Sequence, residues 1–117
     1  MDSGSLQTMI SILYIDDEKD RLLLGKQLLE HNRDFSVHTC STVREGLEHI
    51  NHRPCDVVIS GFQKPDVDGI AFLKAIRGQS GDIPFILLTC PDNEKAIGEM
   101  YQNGADIYPW KEGNEEF

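Results

Sequence analysis

Three acidic side chains in succession, Asp16-Asp17-Glu18, are the first feature of this chain able to do chemistry. Clustered carboxylates are the oxygen ligands that a hard divalent cation such as magnesium prefers. Farther along, Thr89 offers a hydroxyl and Lys111 an ammonium, both suited to phosphate oxygens. Ser60-Gly61 lies between them. Gathered in one crevice, such a set suits a phosphoryl group held beside a metal ion. The residues are far apart in sequence, so the chemistry depends on the elements that carry them.

Those elements are legible as short apolar runs alternating with helical patterns. Ile12 to Ile15 is too short and too uniformly apolar for a surface helix and predicts a buried strand. Leu22, Leu23, Leu28 and Leu29 predict a helical stripe ending near His31-Asn32, with Gly25 a weakness inside it. Phe35 to Thr39 predicts a second strand. Ser41 or Thr42 can cap a second helix whose inner face is Val43, Leu47 and Ile50. Pro54 precedes Asp56-Val57-Val58-Ile59, the strongest central-strand candidate. After a turn at Asp66 to Gly69, Ile70, Leu73 and Ile76 predict a third helix, and Phe85 to Leu88 a fourth strand. Asp92 caps a fourth helix carrying Ile97, Met100 and Tyr101, which Gly104 ends in a left-handed conformation. Asp106 to Trp110 is the last strand.

Strict β-α alternation with buried strands implies an α/β fold, a five-stranded, doubly wound parallel sheet. In such a sheet functional groups gather beyond the carboxyl ends of the strands. Asp16-Asp17-Glu18, Ser60-Gly61, Thr89-Cys90 and Lys111 all fall at such ends.

Composition narrows the function classes. With 117 residues, 39% hydrophobic and 26% charged, the chain suits one compact domain. Residues 9–117 are expected to form it, with 1–8 a polar leader or expression remnant. No apolar run approaches the roughly 20 residues of a membrane span, so a cytoplasmic domain is expected. A net charge of −9, from 20 acidic and 11 basic residues, argues against a nucleic-acid surface. Cys40, Cys55 and Cys90 form no Cys-x-x-Cys pair and read as small buried hydrophobes. His31, His38, His49 and His52 are scattered and read as solvated.

Taken in order, these motifs resemble the receiver domain of two-component response regulators, over about Ile10 to Lys111. The resemblance implies a flavodoxin-like fold, with Asp16 and Asp17 as the acidic pair that holds magnesium. It implies Thr89 as the switch hydroxyl, Tyr108 as the switch aromatic and Lys111 as the contact to phosphoryl oxygens. Pro65-Asp66-Val67-Asp68-Gly69 matches the proline-containing loop after the third strand. It also implies phosphorelay signalling, with a histidine kinase or sensor modules of the same parent chain as partners. A fifth helix, usual in the family, is expected to be missing or truncated, since only Glu112 to Phe117 follow Lys111.

One departure bears on function. The family's phosphorylated aspartate stands four residues before the loop proline, and that position here is Gly61. Glycine supplies neither a nucleophile nor a metal ligand. Lys64, Glu112 and Pro109 also depart from the family pattern. The expectation is a pseudo-receiver that acts through protein contacts, with no catalytic residue and no enzymatic activity. Magnesium would bind weakly through Asp16, Asp17 and the Gln63 carbonyl. Lys111 would bridge to Asp16 or Asp17, and an uncovered face near Trp110 and Phe117 would pair as a homodimer.

Plainer readings stand beside these. Asp16-Asp17 alone could be a polar turn at a helix start, where carboxylates suit the dipole. Thr89, Tyr108 and Lys111 could be ordinary strand-end, packing and surface residues. Two other functions fit parts of the sequence: a conventional phospho-receiver whose acceptor was substituted, and a phosphatase-like α/β hydrolase. The hydrolase needs an Asp-x-Asp spacing after the first strand, and this chain has an adjacent pair.

Overall fold

The computed structural model describes residues 9–61, 70–88 and 94–108. Five parallel strands, β1 (Ile10–Ile15), β2 (Phe35–Cys40), β3 (Val57–Ser60), β4 (Phe85–Leu88) and β5 (Ala105–Tyr108), lie in the order β2-β1-β3-β4-β5. Four helices alternate with them: α1 (Lys19–Glu30), α2 (Val43–His52), α3 (Ile70–Ser80) and α4 (Glu94–Gln102). The reversal of strand order beside β1 puts α1 on one face of the sheet and α2, α3 and α4 on the other, as right-handed crossovers require. Their side chains divide accordingly. Leu13, Ile15, Val58, Phe85 and Leu87 meet Phe72, Leu73, Ile76 and Met100 on the three-helix side. Ile12, Tyr14, Val37 and Ile59 meet Leu22 and Leu29 on the α1 side. This alternation along β1, β3 and β4 is the period-2 signature of a sheet covered on two faces.

Helix α1 is the element whose sequence reading needs correction. Leu22 is buried, but Leu23 and Leu28 are 59% and 66% exposed, as is Leu24 at 56%. The inward face follows the helical spacing of Leu22, Gly25, Lys26 and Leu29, so an unbroken leucine stripe was the wrong grouping. Gly25 is there for space. A Cβ at that position would overlap Tyr14 Cε2, with Cζ at 3.1 Å and Cδ2 at 3.2 Å. Tyr101 of α4 likewise faces out, at 71% exposure, while Met100 beside it is fully buried.

Polar contacts set the ends of the elements. Thr42, not Ser41, caps α2: its Oγ1 accepts from the Glu45 N–H at 3.1 Å, and the Glu45 carboxylate accepts from the Ser41 N–H at 2.9 Å. At the outer edge of β2, Val37 donates its N–H to Glu30 and accepts from Lys26 Nζ. Both partners come from α1, so the helix is tied to the edge strand and the edge is blunted. Arg77 of α3 donates to the carbonyls of Ile83, Asn103 and Gly104. Gly104 adopts φ +87°, the left-handed conformation expected from sequence. β3 begins at Val57 rather than Asp56, whose carboxylate instead accepts the Ser11 N–H at 2.7 Å.

The histidines are less scattered than their sequence positions imply. His38 of β2 and His49 of α2 stack with ring centroids 3.9 Å apart. They line a shallow groove of about 340 Å³ with Thr39, Cys40, Glu45 and Glu48, on the outer flank of the sheet. Burial, then the neighbouring His38, lowers the His49 pKa. Cys40 is buried and unpaired, and its thiol is pushed up to about 11 by burial and then Glu45, in keeping with an inert packing residue.

The Gly25–Tyr14 contact reverses the usual effect of a helix substitution. Gly25→Ala would normally gain about 1 kcal/mol of helix propensity, whereas overpacking costs about 1–3 kcal/mol. We expect Gly25→Ala to lower the denaturation midpoint, and the loss to disappear in a Tyr14→Leu background. A midpoint equal to or above wild type in the otherwise native chain would contradict the packing described.

Candidate functional site: an acidic pocket at the strand ends

Parallel pairing fixes which residues meet. Ile15 of β1 lies opposite Ser60 of β3, so the next residues, Asp16 and Gly61, emerge side by side. Backbone bonds carry this register past the strands: Gly61 N–H donates to the Ile15 carbonyl at 2.8 Å, and Asp16 N–H to Cys40 at 3.1 Å. Ile59 packs on the α1 side of the sheet. Ser60 therefore faces the opposite layer, where it is fully buried and its Oγ has no hydrogen-bond partner among the described residues. Gly61 returns to the side of Asp16.

The two adjacent carboxylates have different fates. Asp17 is 64% exposed, while the Asp16 side chain is fully buried. A buried carboxylate is costly unless charge and hydrogen bonds compensate it. Asp16 has both. Arg21 donates Nε–H to Oδ2 and Nη2–H to Oδ1, each at 2.9 Å, in the forked geometry that matches guanidinium to carboxylate. The Glu18 N–H adds a third bond to Oδ1 at 2.9 Å, and the Tyr14 hydroxyl lies 3.4 Å from Oδ2. The same guanidinium reaches Asp17 at 3.7 Å and Glu18 at 3.4 Å. The Asp16 hydrogen bonds first, then the Asp16 and Glu18 charges, raise the Arg21 pKa against the opposing effect of burial.

Gly61 is the floor beneath this arrangement. A Cβ built there would overlap Asp16 Oδ2 and stand 3.1 Å from Asp16 Cγ. The Asp16 carboxylate thus fills the volume that any side chain at residue 61 would enter.

Of the residues singled out by sequence, Asp16 and Gly61 meet and Asp17 stands at the rim. Tyr108 closes β5 opposite Leu88. Gln63, Thr89 and Lys111 lie outside the described residues, as do the loop at Pro65 to Gly69 and residues Trp110 and Phe117. Sequence reasoning missed Arg21. It looked for the partner of the acidic pair at distant Lys111, although Arg21 stands i+4 from Asp17 and i+3 from Glu18. From the sequence, Tyr14 is visible only as part of a strand.

Residues 12–116 match the profile of the response regulator receiver domain. The chain belongs to that family. It is 30% identical over 101 residues to response regulator Rre1 of Synechocystis, covering 85% of this chain and 44% of Rre1. It is 28% identical to a probable chemotaxis protein CheY of Rhizobium etli, over 87% of this chain and 81% of that protein. A CheY-like receiver domain from Methanospirillum hungatei superposes with a TM-score of 0.80 at 25% identity, covering 92% of this chain and 85% of the other. The fold is therefore that of CheY-like, flavodoxin-type receivers, and this receiver domain is a two-component signalling module. Among the described residues no helix is long and apolar enough to cross a membrane.

The pocket makes a checkable claim about Tyr14. Burial, then the Asp16 charge, pushes its pKa up to about 12, from an ordinary value of about 10. Because the folded value is the higher one, the linked stability is complete below pH about 10 and is lost as pH rises through about 12. Ultraviolet titration of tyrosinate, taken as the difference between wild type and Tyr14→Phe, should show ionisation near 12. Asp16→Asn should bring it down toward the ordinary value. A Tyr14 signal at about 10 in the native protein would contradict both its burial and its contact with Asp16.

Proposed function

We propose that this receiver domain signals without aspartyl phosphorylation, because Gly61 stands at the acceptor position. The observation that carries the reading is the pairing of Asp16 with Gly61. The end of β3 beside the acidic pair offers no carboxylate, and the Asp16 side chain takes up the space where one would be. Among the described residues no nucleophile replaces it. Ser60 faces the opposite layer of the sheet, and Asp16 has both oxygens engaged. An acyl phosphate requires a free carboxylate oxygen in line with the donor, and the described strand ends supply none. With one carboxylate ligand missing at residue 61, magnesium binding is weak.

Its output is then protein contact. The domain serves as a docking module for a signalling partner, such as a histidine kinase or a sensor module of the same parent chain, in the cytoplasm. A second copy is the partner if the β5 side pairs with itself. The net charge of −9 favours basic protein surfaces over nucleic acid.

Incubation with acetyl phosphate and magnesium, followed by intact-mass measurement at once and at low pH, tests the reading. The expected spectrum is that of the untreated chain, while an ordinary receiver treated in parallel gains one phosphoryl group. A phosphoryl increment on this chain that disappears with hydroxylamine would restore the conventional phospho-receiver.

A further inference from the structure

We propose that Arg21 is the resident cation of the acidic pocket, neutralising Asp16 permanently and so making this receiver independent of divalent metal. The inference rests on the absence of an acceptor at Gly61 but goes beyond it, since a lost acceptor alone would leave Asp16 and Asp17 available to magnesium.

Three observations carry it. First, the Asp16 carboxylate has no open face. Oδ1 takes bonds from Arg21 Nη2 and the Glu18 N–H, and Oδ2 takes one from Arg21 Nε and lies near the Tyr14 hydroxyl. A metal ion would have to displace at least one arm of the guanidinium to reach either oxygen. Second, the surroundings favour the guanidinium. It is a weakly hydrated, planar cation that loses little on desolvation, whereas magnesium sheds its water reluctantly and demands near-octahedral oxygen geometry. Asp16 alone among the acidic trio is buried; Asp17 and Glu18 are 64% and 57% exposed and already lie against the same guanidinium. Third, the space is used. The position of a Cβ at residue 61 overlaps Asp16 Oδ2, so the clamped rotamer of Asp16 is compatible only with glycine there. Clamp and glycine are mutually dependent: a side chain at 61 would push Asp16 out of the Arg21 fork, and loss of the fork would free Asp16 to turn toward solvent cations. The described residues therefore do not fit a magnesium ion as they are arranged, and Arg21 acts as a positioning residue that holds Asp16 over Gly61.

The test compares the full chain with its Arg21→Gln and Arg21→Lys variants in magnesium chloride titrations at constant ionic strength, read as the thermal midpoint and as calorimetric affinity. Wild type is expected to show no midpoint shift and no submillimolar binding. Arg21→Gln is expected to melt lower without metal, to recover with magnesium, and to bind it at least tenfold more tightly than wild type. Arg21→Lys, which keeps the charge without the fork, should fall between the two. A purely structural arginine would lower the midpoint without creating this metal dependence. Equal magnesium affinity in wild type and Arg21→Gln, or submillimolar binding by wild type, overturns the proposal. If Arg21→Gln does not fold, the wild-type chain still decides. Addition of manganese should leave the amide signals of Asp16, Glu18 and Gly61 unbroadened, and selective broadening there overturns the proposal. The acyl-phosphate experiment fails separately. A chain that is phosphorylated yet shows the Arg21-dependent metal response refutes only the missing acceptor, and a chain that resists phosphorylation yet binds magnesium refutes only the resident cation.

Discussion

A carboxylate carried into the interior at the end of a central strand has to be neutralised there, and Asp16 is such a group. It is fully buried and hydrogen-bonded by Arg21, by the Glu18 backbone and, at longer range, by Tyr14. Truncating one partner of a buried ion pair typically costs about 3–5 kcal/mol, because the other charge is left uncompensated; Arg21 is 35% exposed, so solvent screening reduces that figure here. Much of the neighbouring sequence is consistent with meeting this one demand. The β1–β3 register brings Gly61 against the carboxylate, and the first turn of α1 brings the guanidinium.

The scaffold holds α1 in the pose that this contact needs. Its inner face rests on the sheet through Leu22 and Leu29, and Gly25 lets the helix settle on the ring of Tyr14. Farther along the same helix, Lys26 and Glu30 bind the backbone of Val37 at the sheet edge. The tyrosine that limits residue 25 also reaches Asp16. Packing under the helix and charge pairing at its start are thus coupled through one side chain. On the other face, Arg77 ties α3 to the turn between α4 and β5, which fixes the far half of the sheet without touching the pocket.

Most of the fold was legible because it depends on periodicity. Short apolar runs such as Ile12 to Ile15 and Phe85 to Leu88 suit strands of a covered sheet and mark β1 and β4, while β2 (Phe35–Cys40) mixes apolar and polar residues as an edge strand does. Boundaries moved by a residue or two where a polar side chain intervened, as at Asp56. Helix α1 was misgrouped because its leucines outnumber the positions that face the sheet, and only the spacing of Leu22, Gly25, Lys26 and Leu29 tells which do. In the site, Asp16 and Gly61 followed from strand-end logic. Arg21 did not, because a cation in the first turn of a helix reads as an ordinary surface pair with Asp17 or Glu18. Its principal bond is to Asp16, five residues away, and depends on how the chain turns out of β1. The stacked His38 and His49 escaped for a related reason: one is on a strand, the other on a helix, and only the tertiary fold joins them.

The proposed reading is that the described part of this pocket holds an internal cation and offers no seat for a phosphoryl group. Backbone amide spectra recorded with and without beryllium fluoride plus magnesium, a mimic that binds an acceptor carboxylate as a phosphoryl group would, test it most directly. The account predicts that the signals of Asp16, Glu18, Arg21 and Gly61 stay in place, together with those of α4 and β5. A saturable shift spreading from the pocket into α4 and β5 would contradict it, because it would reveal an acceptor and a working switch.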